Sequence, residues 1–134
     1  MNFERKLIKI LFISFLLFTY QTSLSSQEPK EFIAEIADEA SAVIAANESK
    51  ESKIQKLKKI AKKSVDIKGL GYYTLGSYRK GLSDSKKNEY AELFEKYFLK
   101  TFASRLVDYT DPKVIVTSQE KINEKYTIVS SILV

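Results

Sequence analysis

An α+β fold is predicted from the order of hydrophobic periodicities: apolar residues recur at helical spacing as far as Tyr109, and after Asp111-Pro112 the period switches to two. The length agrees. With 134 residues, 44% hydrophobic and 29% charged, the chain has ordinary globular composition and room for one domain or part of one.

The first segment is expected to lie outside that fold. Arg5, Lys6 and Lys9 form a basic start, Ile10 to Tyr20 is an uninterrupted apolar run of 11 residues, and Ser23-Leu24-Ser25 places small residues where a signal peptidase cuts. The run is well short of the ~20 residues that span a bilayer as a helix, so residues 1–26 are expected to be a cleavable secretory signal. Removing them takes away three basic residues and Glu4. Residues 27–134 then carry 19 basic and 16 acidic groups, lowering the net charge from +5 to +3. An exported chain with so small an excess is not expected to meet nucleic acid.

From Ser26 to Lys30 the chain is polar, and Pro29 suits the first turn of a helix, where its missing N–H would have no partner anyway. The stripe Phe32, Ile33, Ile36, Ala37, Ala40, Val43 and Ile44 predicts a helix ending near Asn47. A second helix follows. Lys50, Lys53, Lys56, Lys58, Lys59, Lys62 and Lys63 crowd one side of it, and Ile54, Leu57, Ile60 and Ala61 recur on the other. Such a basic face is either solvated or a docking surface for anionic lipid headgroups or an acidic partner. Asp66 is placed to cap a short helix, Ile67 to Leu75, which Gly76 ends.

Ser83 and Asp84 then open a long helix, expected to run to Tyr109 without Gly or Pro. Tyr90, Phe94, Tyr97, Phe98, Thr101, Phe102, Leu106 and Tyr109 share one of its faces. A core helix packed against a sheet has that stripe. So has a helix lining a ligand cavity, because an apolar pocket is a core with a void in it. Beyond Pro112, Val114, Val116 and Ser118 alternate with Ile115 and Thr117, Lys121 to Glu124 supplies turn residues, and Tyr126 to Val134 is rich in β-branched residues. Two antiparallel strands are expected, forming a sheet too small to stand alone and leaving an open apolar edge.

Chemistry is sparse. The absence of Cys and His excludes disulfides, thiolate nucleophiles, Ser-His-Asp triads and conventional zinc sites. The Gly69-x-Gly71 pair lacks the Lys-Ser/Thr of a phosphate loop. The carboxylate pairs Asp38 with Glu39 and Asp108 with Asp111 read as solvated charge, and nothing in the spacing requires Asp66 with Tyr72 and Tyr73 to act as acid and base.

The segments VDIKGLGYYTLG, from Val65 to Gly76, and KKNEYAELFEKYFLKTFASRLVDY, from Lys86 to Tyr109, resemble the MlaC or toluene-tolerance family of periplasmic phospholipid-binding proteins of a lipid-asymmetry ABC transport system. Asp66, Leu75, Gly76, Tyr90, Phe94, Phe98, Thr101, Phe102, Leu106 and Tyr109 fall on that family's pattern in register. Arg79 and Lys80 stand where the family usually has Trp-Arg. The resemblance covers about residues 30–134 and stops short of the family's C-terminal strands with their Trp and Gly, so residues 27–134 are expected to be a C-terminally truncated phospholipid-binding domain.

What the resemblance implies is an α+β fold with helices wrapped around a twisted antiparallel sheet, a cone-like lipid carrier whose sheet is incomplete here. It also implies a phospholipid whose acyl chains lie between helix and sheet, in a dry cavity at the upper end of the usual ~300–1,000 Å³. The implied partners are an inner-membrane ABC transporter complex and an outer-membrane lipoprotein complex. Facing and polarity make Leu70, Tyr73, Tyr90, Phe94, Tyr97, Phe98, Phe102, Val116 and Ile128 the candidates for the acyl-facing wall. No catalytic residue, metal or cofactor is implied. An exported protein-interaction module using the open strand edge, or a small exported enzyme on a helix-and-sheet cone, are the alternatives.

Overall fold

The computed structural model describes residues 27–134; the expected signal segment, residues 1–26, lies outside them. The described elements are α1 (Pro29–Ala45), α2 (Lys50–Ser64), α3 (Ile67–Thr74), a 3₁₀ turn (Gly76–Gly81), α4 (Asp84–Leu106), β1 (Val114–Asn123) and β2 (Tyr126–Leu133). The α+β expectation holds, with an antiparallel sheet of two strands.

Local chemistry sets most of the boundaries. Pro29 opens α1. The Ser49 hydroxyl accepts from Ser52 N–H at 3.2 Å, the Asp66 carboxylate from Gly69 N–H at 2.9 Å, and the Ser83 hydroxyl from Lys86 N–H at 3.4 Å, so each later helix starts on a side-chain cap. Gly76, just past α3, takes φ +53°, the left-handed region open to glycine. Helix α4 is shorter than expected. It ends at Leu106, and tighter i→i−3 bonds from Asp108 and Tyr109 close its last turn before the Asp111-Pro112 corner.

Helix α2 is the centre of the packing. Its Leu57 is 0% exposed and joins Ile44 of α1, Ile60 and Ala103 of α4, with Ile36, Ala40, Val43, Ile54, Leu106 and Val107 packed around them. On the other side Ala61, Ile67 and Leu99 form a second cluster, edged by Val65, Phe94, Phe98 and Phe102. Small residues at Ala61, Gly71, Ala91 and Ala103 let the helix axes approach closely.

The sheet corrects three expectations. Its main helical support is α1, whereas the aromatic α4 packs mainly on α2 and α3. Val114 and Val116 are half-buried, and Gln119 ties the strand to the start of α1, accepting from Lys30 N–H at 3.0 Å and donating to the Glu28 carboxylate at 3.2 Å. The alternation also breaks after Val116. Val116 pairs with Ser131 but Ser118 with Ser130, which leaves Thr117 as the extra residue of a bulge and moves Ser118 to the opposite face from Val116. Thr117 Oγ1 donates to Ser130 C=O at 3.2 Å, which fills that gap in the ladder. Strand β1 runs on to Asn123, into the segment from Lys121 to Glu124 expected to turn, and the Asn123 side chain shapes the hairpin by accepting from Lys125 and Tyr126 N–H at 2.8 and 3.1 Å.

Candidate functional site

Four residues of α4 at i, i+4 spacing form an aromatic ladder. The ring centroids of Tyr90 and Phe94 lie 6.2 Å apart, those of Phe94 and Phe98 6.2 Å, and those of Phe98 and Phe102 5.5 Å, with interplanar angles of 25°, 21° and 11°. All four are half-buried: the phenylalanines pack against the Ala61, Ile67 and Leu99 cluster, and a minor part of each ring stays exposed. From residue 90 to residue 102 a helix rises about 18 Å, close to the ~15 Å depth of one bilayer leaflet's hydrocarbon.

Helix α3 holds the upper end of the ladder in place. Gly71 faces Phe94, and a Cβ at Gly71 would lie 3.1 Å from Phe94 Cδ1. Thr74 Oγ1 donates to Gly71 C=O at 2.7 Å, so at the 2.9 Å contact between Thr74 Oγ1 and Tyr90 OH the phenol is the donor. Tyr72 OH donates to Asn88 Oδ1 at 3.1 Å, and Lys68 Nζ sits 5.6 Å from the centroid of the Tyr72 ring. The polar contacts therefore lie at the Tyr90 end. The rings at positions 94, 98 and 102 offer only carbon, a surface that suits methylene chains.

The other predicted wall residues are spread more widely. Tyr97 lies beside the ladder on α4 and is 68% exposed. Leu70 is exposed on α3, one turn from Thr74 and so on the side that meets Tyr90, whereas Tyr73 is 83% exposed. Val116 and Ile128 belong to opposite faces of the sheet: Val116 is half-buried, and Ile128 is 55% exposed on the uncovered face with Ile115 and Ile132. Leu70 and Tyr97 thus lie beside the ladder, Tyr73 projects into solvent, and the two strand candidates are not brought to the ladder. Clefts among the described residues, of about 130 to 300 Å³, lie between α1 and α2, near Phe32 and beside Tyr109, and none is lined by these nine side chains.

A family model described as MlaC protein matches residues 34–134. The chain belongs to the MlaC family. No curated protein matches the chain, and no solved structure does. At the level of the family, MlaC proteins are periplasmic phospholipid-binding carriers and not an enzyme family. Among the described residues there is no group of three or more acidic side chains arranged to hold a metal ion, and no helix long and apolar enough to cross a membrane.

Within this MlaC-family chain, two contributors to the wall escape a reading of polarity alone. Leu93 is 58% exposed beside Tyr97, and its spacing of three from Tyr90 and four from Tyr97 carried the signal. Gly71 offers no side chain to count, and its role depends on what faces it. Hydrogen bonds from Lys56 and Ser52 hold the Glu48 carboxyl below the usual glutamate range at the α1–α2 turn, and Lys86 does the same for Glu89 in the first turns of α4.

Proposed function

We propose that this protein is a periplasmic phospholipid carrier that lays acyl chain against the aromatic ladder of α4 and shuttles lipid between an outer-membrane lipoprotein complex and an inner-membrane ABC transporter complex. Export by a cleavable signal in residues 1–26 belongs to the same reading. The observation that carries it is the uncharged, partly exposed ladder from Tyr90 to Phe102, matched in length to an acyl chain. Each CH₂ removed from water against such a wall contributes up to about 0.8 kcal/mol, and no bond has to break. Leu70, Leu93 and Tyr97 extend the wall toward solvent.

A phospholipid carrying a photoreactive diazirine in its acyl chain tests the reading. Adducts concentrated between Tyr90 and Phe102 are expected. Adducts confined to the sheet or scattered over the surface would refute the placement.

One observation favours a second reading, a module that adds a strand to a partner's sheet. Strand β2 carries no charged residue from Tyr126 to Leu133, the kind of edge that recruits another strand. Protection of β2 amides from exchange on adding a second protein, with no lipid bound, would support that reading against the first.

A further inference from the structure

Helix α2 carries a feature that the ladder does not use. Seven of its 15 residues are lysines, against one carboxylate, Glu51. It therefore holds +6, while the rest of residues 27–134, with 12 basic and 15 acidic groups, holds −3. Positive charge is gathered on one helix. Some of it is neutralised locally: Lys50 pairs with Asp108 at 2.5 Å, Lys62 with Glu95 at 2.7 Å and Lys56 with Glu48, and Lys53 Nζ donates to Ile44 C=O at 2.6 Å. Lys58, Lys59 and Lys63 have no carboxylate within ion-pair distance among the described residues. Lys59 and Lys63 flank a cleft of about 210 Å³ with Lys56 and Glu39, over a floor of Val43 and Ile60.

The residue types on this face indicate what it fits. Protein interfaces concentrate their energy in Trp, Tyr and Arg seated in desolvated pockets, and lysine is depleted from their centres. Helix α2 has neither aromatic residue nor arginine. Its apolar residues Leu57, Ile60 and Ala61 are turned into the core, which leaves lysine ammonium groups, hydrated point charges, as the outward face around that cleft. A dense, laterally spread and hydrated layer of negative charge complements such a surface, and a bilayer containing anionic lipid presents one. We propose that α2 is a docking face for an anionic bilayer surface, engaged through Lys58, Lys59 and Lys63. Contact is electrostatic and reversible, without insertion, and the asymmetric charge turns α2 toward the membrane on approach. None of this depends on the ladder holding lipid.

Vesicle flotation tests it, with vesicles of phosphatidylcholine alone and of phosphatidylcholine mixed with phosphatidylglycerol. The two triple variants below share residues 1–26, so comparing them cancels whatever Arg5, Lys6, Lys9 and the apolar run Ile10 to Tyr20 contribute. The protein is expected to favour the anionic vesicles, and 1 M salt to abolish the difference by shrinking the screening length to about 3 Å. A triple variant, Lys58→Gln with Lys59→Gln and Lys63→Gln, should lose about fivefold per lysine, on the order of 100-fold altogether. A second triple variant, Lys80→Gln with Lys113→Gln and Lys125→Gln, changes net charge equally and should retain most of the preference. Equal loss in both variants, no preference for anionic vesicles, or binding of the wild type to polyglutamate as strong as to anionic vesicles would each overturn the proposal.

Discussion

A methyl group at Gly71 would meet the Phe94 ring near its base, 3.1 Å from Cδ1 and 3.2 Å from Cγ, where the ring cannot swing aside without leaving the ladder. Gly71→Ala is therefore expected to destabilise. Overpacking typically costs ~1–3 kcal/mol, more than the ~1 kcal/mol that replacing a helical glycine with alanine returns. Thermal unfolding measures the sign, and near-ultraviolet circular dichroism reports the displaced rings. Tyr97 probes function rather than folding. It is 68% exposed, so Tyr97→Asp should change stability by no more than about 0.5 kcal/mol. A carboxylate desolvated against an acyl chain costs at least about 1–3 kcal/mol, so lipid occupancy should fall about tenfold or more, read by lipid extraction from purified protein. Of these two positions the sequence names Tyr97, by its spacing of three from Phe94 and four from Thr101, but not Gly71, because the contact that fixes Gly71 comes from another helix.

At the scale of the element, helix starts were the most legible part of the chain because capping is local. Pro29, Asp66 and Ser83 stand where the sequence places them. The Thr117 bulge was not legible, since an extra residue in a strand shows only against the register of its partner. Nor was the choice of α1 over α4 as the sheet's support, which two comparably apolar helix faces leave open. Ser49 gives the sharpest test of an element. Ser49→Ala removes the acceptor for Ser52 N–H and should cost about 1 kcal/mol in a denaturant titration. Next to it, Glu48 is held as a carboxylate by Lys56 and Ser52. Its pKa in the folded state is depressed, so its stabilising contribution is present above the unfolded pKa and is lost as pH falls below the ordinary glutamate range through the depressed folded value. That contribution is small because the pair is exposed to solvent. The stability difference between Glu48→Gln and the wild type should accordingly narrow on acidification.

Across the whole molecule, the buried core is small and the exposed apolar surface large. Ile44, Leu57, Ile60, Ala61, Ile67, Ala91, Leu99 and Ala103 are the buried apolar residues among those described, while Leu93, Tyr97, Ile128 and Ile132 stand more than half exposed. Hydrophobic cost in water of this kind is relieved when a ligand covers the surface. Linkage then requires phospholipid to raise the thermal midpoint, by an amount equivalent to about 2.7 kcal/mol when free lipid is at 100 times its dissociation constant. The central claim is that the ladder of α4 carries acyl chain, and the most direct test is native mass spectrometry with lipid extraction on protein recovered after export. Phospholipid bound to the folded chain, and largely absent from Tyr97→Asp, is the predicted result. Folded chain that is free of lipid and acquires none from added phospholipid would contradict the account.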